Sequence, residues 1–273
     1  MERGPFHMTT VSEPCLDHGR MDPWGRLGCR EDPFRAGFDE RFIYLGHAQQ
    51  ELLGGLERDV ASPRGLSLVI GPTGTGKTTL LRKLVAKMRT QGSLVFHFAT
   101  PAPVPTLAAM ASASRAQAGL RDDRQSEDID PLVAFRGLLA SVGQGQRPVL
   151  IVDEAQSSRD QLIEDLIALA APAPEGTSLL PIILAGQPLL ALRLARMSLA
   201  KLGVSIGHRY ALGTLASSDV AAFIRYRLRQ AGCTHTMPFT REAIDQISSY
   251  AQGVPGSINT LCRLAVFFRR GER

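Results

Sequence analysis

The chain has 273 residues, of which 44% are hydrophobic and 21% charged, and its formal net charge is +5. Such a composition builds a real core, which excludes intrinsic disorder, collagen and coiled coil as descriptions of the bulk. No window reaches the ~18 uninterrupted apolar residues of a membrane helix, and the N-terminal region holds no apolar stretch fit for a secretory signal, so a cytoplasmic protein without a membrane segment is expected.

In chain order, residues 1–33 are rich in Gly, Pro and charge and read as a flexible tail. From Phe34 the pattern tightens, and His47–Val60 suits a short helix. Leu66–Ile70 is a compact apolar run ending in Gly71, as a buried strand would. Thr78–Arg89 predicts a helix, Leu94–Phe98 a second strand, and residues 101–120 a turn followed by a helix. Asp130-Pro131 is a helix start, with an N-cap acid and proline at the first helical position. Val149–Asp153 and Pro181–Ala185 predict a third and a fourth strand. Strands alternating with helices specify an α/β fold with an open parallel sheet over residues 34–213. Beyond residue 213 only helices are expected, at Ser218–Ala231, Thr240–Ala251 and Pro255–Arg270, and residues 214–273 therefore read as a small all-helical module.

The eight residues Gly71, Pro72, Thr73, Gly74, Thr75, Gly76, Lys77 and Thr78 fit GxxxxGK[ST] in full and lie between a strand and a helix. Glycines let the backbone wrap phosphate oxygens with N–H groups, and the helix N-terminus, Thr79 included, adds its positive end. Lys77 places a charge on the β/γ-phosphates, and Thr78 offers a hydroxyl to Mg²⁺. The nucleotide expected there is ATP.

Asp153 and Glu154 end an apolar strand, 76 residues beyond Lys77. Asp153 is expected to hold Mg²⁺ with Thr78, and Glu154 to orient and deprotonate an attacking water, which favours hydrolysis over transfer to a hydroxyl. Gln187, closing the fourth strand, is a candidate for hydrogen bonding the γ-phosphate or its water; a polar helix start is the alternative. Arg209 stands in an apolar segment, either as an arginine finger toward a neighbouring subunit or as a structural ion-pair residue.

The four cysteines, Cys15, Cys29, Cys233 and Cys262, make no CxxC pair and read as free thiols of a reducing compartment. The histidines have no metal-ligand spacing. The charge is uneven: residues 193–273 carry twelve Lys/Arg against four Asp/Glu, while residues 1–33 carry four against six. The C-terminal third is thus a candidate surface for double-stranded DNA, or a merely solvated face. Arg225 and Arg229 lie one turn apart there, with Arg227 nearby.

These motifs together resemble the ExeA/GspA-like branch of AAA+ ATPases, related to the TniB, TnsC and MuB kind of transposition helper. The resemblance runs from about Asp32 to Phe268. It rests on Asp32-Pro33-Phe34, the P-loop, Asp153-Glu154-Ala155-Gln156, Leu184–Pro188, Arg227-Leu228 and Gly253-Val254-Pro255 with Ile258-Asn259. It implies an ATPase core with a helical lid, nucleotide at their junction, and self-association into an oligomer. Two departures stand out: Gly256 occupies the position where the branch usually has a basic second sensor, and Ser205 stands near where another basic residue is common. Slow or partner-dependent hydrolysis is the expectation. The resemblance leaves three jobs: a DNA regulator beside a transposase, a secretion ATPase, or a nucleotide-dependent scaffold. The first is preferred, because the basic third suits DNA and the chain ends with the lid.

Overall fold

The computed structural model describes residues 23–61, 66–99, 106–120, 129–142, 146–171, 180–197, 206–233 and 237–268. Helix α1 (Pro23–Arg26), a 3-10 turn at Glu40–Phe42 and α2 (His47–Ala61) precede β1 (Leu66–Ile70). Next come α3 (Lys77–Thr90), β2 (Ser93–Ala99), α4 (Leu107–Gln117), α5 (Pro131–Ser141) and β3 (Arg147–Asp153). A 3-10 turn at Ala155–Ser157, α6 (Asp160–Ala170), β4 (Ile182–Gly186), α7 (Pro188–Arg196) and β5 (Ile206–Ala211) complete the α/β part. Three helices follow: α8 (Ser217–Gln230), α9 (Arg241–Ala251) and α10 (Pro255–Phe268). Side-chain caps explain several starts. Asp130 accepts from the N–H groups of Leu132 and Val133, and Thr240 accepts from Ala243.

The five strands form one parallel sheet in the order β2-β3-β4-β1-β5. Helices cover both faces, so the inner strands need apolar side chains on both sides and read as unbroken apolar runs. On one face Leu68, Val152 and Leu184 pack against α4, α5, α6 and α7; on the other, Val69, Ile151 and Ile183 pack against α2 and α3. The strand β5 was not predicted. It is an edge strand whose Gly207, His208 and Arg209 are exposed and interrupt the apolar segment, so it lacks the unbroken run of the inner strands.

The third core joins the helical module to the N-terminal segment and corrects two expectations. Trp24 and Phe34 are each only 1% exposed and pack with Phe223, Phe239 and Ile258. Residues 23–33 thus begin a strap on α8 and α10, continued to Leu45, rather than a loose tail; residues 1–22 lie outside the described residues. The free-thiol expectation also fails for two cysteines, because Cys29 and Cys233 form a disulfide across 204 residues. Cys262 is a buried thiol, and Cys15 lies outside the described residues. Among the described residues no helix is long and apolar enough to cross a membrane.

Candidate active site

The β1 strand delivers the chain into the Gly71–Gly76 loop, and α3 begins at Lys77. Gly74 and Gly76 have φ of +81° and +97°, a region that residues with a Cβ rarely enter, so the loop can curl over the start of α3. The curl is closed from inside: Thr75 donates its hydroxyl to the Pro72 carbonyl at 2.8 Å, and Lys77 Nζ donates to Gly71 and Pro72 carbonyls at 2.8 and 3.0 Å. Lys77 is 4% exposed, and these neutral oxygens leave its charge to be matched by an anion. Pro72 and Thr73 are exposed at the loop tip.

The β4 strand stands between β1 and β3, so the acid pair reaches the loop across one intervening strand. Asp153 nevertheless meets the loop directly. Its Oδ2 accepts from the Thr78 hydroxyl at 2.6 Å and its Oδ1 from the Glu154 N–H at 2.8 Å. Glu154 has φ of +51°, costly for a residue with a side chain and the kind of strain that collects at reacting centres. Its Oε2 accepts from the Gln156 amide at 2.6 Å.

These residues open on a cavity of about 290 Å³. Gly74–Leu80 and Glu154 form its floor, Phe42–Leu45 one wall, and Phe223, Arg227, Gly256 and Asn259 of the helical module the other. The module is fastened to the loop by the Gly256 N–H, which donates to the Gly74 carbonyl at 3.2 Å. Of the expected residues, Gly71, Pro72, Thr73 and Asp153 belong to the loop and strand end beside the cavity without lining it, and Gln187 and Arg209 belong to other elements. Gln187 is the N-cap residue of α7 and does not line the cavity, and Arg209 is exposed on β5.

Three residues that the sequence offered only as part of the resemblance contribute in roles it did not assign. Arg227 is buried, not part of a basic face: two positions from Arg225 and from Arg229, it points to the opposite side of α8. It donates to the carbonyls of Pro33, Phe42 and Arg35 and stacks on the Phe42 and Phe223 rings; burial pushes its guanidinium down to about 10. Asn259 lines the cavity with a buried Oδ1 that has no partner among the described residues, the atom a ligand donor would satisfy. Gln156 ties Glu154 to the neighbouring strand end. The signal for Arg227 was available in helical spacing; for the other two it was not.

The donor set fits Mg²⁺. A hydroxyl and a carboxylate, Thr78 and Asp153, are hard oxygens already brought together, and Mg²⁺ takes few protein ligands because phosphates and water fill the rest. No cluster of three or more His, Cys, Asp or Glu suited to a metal occurs among the described residues.

A parallel sheet with this loop after β1 and this acid pair after β3 defines a P-loop NTPase of the AAA+ class. The AAA domain family matches residues 58–194, and the chain belongs to it. It is similar, at 30% identity over 90% of its length, to general secretion pathway protein A of Aeromonas hydrophila, and spans 45% of that relative, a likeness that accords with the ExeA/GspA-like resemblance of its motifs. Among solved structures, Pyrobaculum aerophilum Cdc6p superposes with a TM-score of 0.62 at 15% identity, covering 84% of this chain and 62% of that one. The Aeropyrum pernix ORC2 protein in ADPNP–ADP complexes gives 0.59 at 19%, with 84% and 63% covered. A Drosophila ORC chain from a DNA-bound structure gives 0.60 at 14%, with 97% and 65% covered. At these identities the likeness is one of fold.

Proposed function

We infer that the chain binds ATP with Mg²⁺ and hydrolyses it, and that the nucleotide state governs self-assembly and the choice of partner. The observation that carries this reading is the Thr78–Asp153 hydrogen bond, which sets the acid pair against the loop at one cavity with Lys77. On ATP entry Lys77 exchanges its two carbonyl contacts for β/γ-phosphate oxygens. Thr78 and Asp153 would hold Mg²⁺, which would supply positive charge against the phosphate oxygens. Glu154 takes a proton from water as the water oxygen bonds to the γ-phosphorus and the bridging bond to ADP breaks.

The job we favour is that of a cytoplasmic ATPase assisting a DNA transposase, with double-stranded DNA and the transposase as partners and an oligomer as the working form. Exposed Arg225 and Arg229 on one face of α8 support DNA contact, and Arg209 on the β5 edge is available as a finger toward a second subunit. The second reading, a secretion-associated ATPase, is favoured by the 30% identity with general secretion pathway protein A.

Two variants test the site. Lys77→Ala is expected to abolish ATP binding, and Glu154→Gln to keep binding while lowering turnover by about 10²-fold or more. Isothermal titration and phosphate release separate the two effects. Unchanged turnover in Glu154→Gln overturns the assignment of the base.

A further inference from the structure

Glu154 does not stand alone at the end of β3. Two residues on, the Gln156 side chain turns back, and its Nε2 donates to Glu154 Oε2 at 2.6 Å. Its Oε1 accepts from the Gln187 backbone N–H at 3.0 Å. The two partners fix which end of the amide is which, since a carboxylate only accepts and a backbone N–H only donates. The Gln156 carbonyl in turn accepts from Arg193 Nη1 of α7 at 2.7 Å, while the same guanidinium donates to Ser158 O at 2.8 Å and pairs with Asp160. Both ends of Gln156 are therefore held, the side chain by the tip of β4 and the backbone by α7.

The residue that leaves room for this bridge is Gly186. A Cβ there would stand 2.6 Å from Gln156 Oε1, and also 2.9 Å from Leu190 Cδ2. Glycine at the last position of β4 is therefore what admits the amide between β3 and β4.

We propose that Gln156 is a positioning residue for hydrolysis: it fixes the Glu154 carboxylate and registers it against the tip of β4. With Oε2 committed to Gln156, proton acceptance falls to Oε1, and the strained backbone at Glu154 is held in place by a charge-assisted hydrogen bond. Gln187 then acts through its backbone N–H, as the anchor of the bridge, whatever its side chain does. The proposal rests on the hydrolytic reading of the site.

The test compares phosphate release (kcat and KM) and the affinity for a fluorescent ATP analogue in four full-length variants. Gln156→Ala is expected to lower kcat about tenfold with KM and analogue affinity unchanged, because Lys77 and the loop are untouched. Gln156→Glu keeps an acceptor for the Gln187 N–H but sets a second carboxylate against Glu154, and is expected to lose more. Gly186→Ala, which removes no polar group, is expected to match Gln156→Ala. In a Glu154→Gln background, Gln156→Ala is expected to add little, as it acts through the residue already removed. Equal kcat in wild type and Gln156→Ala overturns the proposal, as does a rise in kcat or an equal fall in the Glu154→Gln background. A wild-type chain that binds the analogue without releasing phosphate overturns the hydrolytic reading itself, and this proposal with it.

Discussion

Gly256 is where the resemblance predicts a lost cation, and the geometry now distinguishes loss from structural need. A Cβ added there meets Gly74 Cα and O at 3.5 and 3.6 Å, ordinary contacts, whereas the turn before α10 is made by Gly253, whose Cβ would stand 2.1 Å from the Leu215 carbonyl oxygen. Gly256→Arg is therefore expected to leave the melting temperature nearly unchanged, within about 0.5 kcal/mol of stability. The added guanidinium at the cavity wall is expected to raise turnover several-fold by meeting charge that develops on the γ-phosphate. A lower melting temperature with no rate gain sinks the sensor-loss idea.

His97 on β2 makes a second case at this scale. Its Nε2 is buried without a partner among the described residues; burial, then the Arg82 and Arg89 cations, push its imidazole below the usual range against the pull of Asp153. The folded state keeps the ring neutral, while the unfolded chain takes up a proton below about pH 6.5, so acid removes stability through this group. His97→Gln is expected to flatten the fall in melting temperature between about pH 7 and pH 5 relative to wild type. Parallel profiles would show that the histidine is not responsible.

Among the elements, the strap formed by residues 23–45 and the helix α8 act as one piece. Cys29 is bonded to Cys233, the Arg30 N–H donates to Ala231 O at 2.9 Å, the Tyr226 hydroxyl donates to Arg41 O at 2.9 Å, and Tyr44 stacks on Phe223 and Tyr226. Arg227, one turn on from Phe223, adds three carbonyl contacts to the same segment. The downstream end of the strap, Phe42–Leu45, is one wall of the cavity, so strap and helical module share that surface. A crosslink spanning 204 residues restricts the unfolded chain by up to about 5 kcal/mol in the chain-entropy account. Dithiothreitol, or Cys29→Ser, is expected to lower the melting temperature by several degrees. Thiol titration of the unreduced, denatured chain is the companion measurement; no change in melting temperature on reduction would contradict the clasp.

For the whole molecule the question is where the basic excess goes. Among the described arginines of residues 193–273, Arg227 is buried, Arg193 is tied to Asp160 and Arg263 pairs with Asp32 at 2.9 Å, whereas Arg196, Arg209, Arg225, Arg229 and Arg241 face solvent. Only the last kind is free to meet phosphates. We expect sequence-tolerant duplex binding that strengthens with ATP, since assembly would array many weak patches along one DNA. Replacing Arg225 and Arg229 by Ala is expected to reduce the log–log salt slope by roughly one to two units, with ATP binding intact. Fluorescence anisotropy at several salt concentrations reads this. No binding at low salt with an ATP analogue present would return the charge to a solvated face and favour the secretion reading.

The sequence by itself determined what depends on neighbours in the chain: the loop that wraps phosphate, the helix that follows it, the apolar runs of the inner strands, and the acid pair at the end of one of them. Hydrophobic period, glycine freedom and capping act over a few residues, so they are written locally. Tertiary structure decided whatever depends on what lies across a gap. It placed β4 between the loop and the acids and joined Thr78 to Asp153 over 75 residues. It drew Cys29 to Cys233, turned Arg227 inward, and exposed Arg209 on an edge strand whose apolar segment polar residues interrupt. Burial is a property of the packed whole, so the same arginine reads as a surface charge or a buried clamp until its partners, in another part of the chain, are in place.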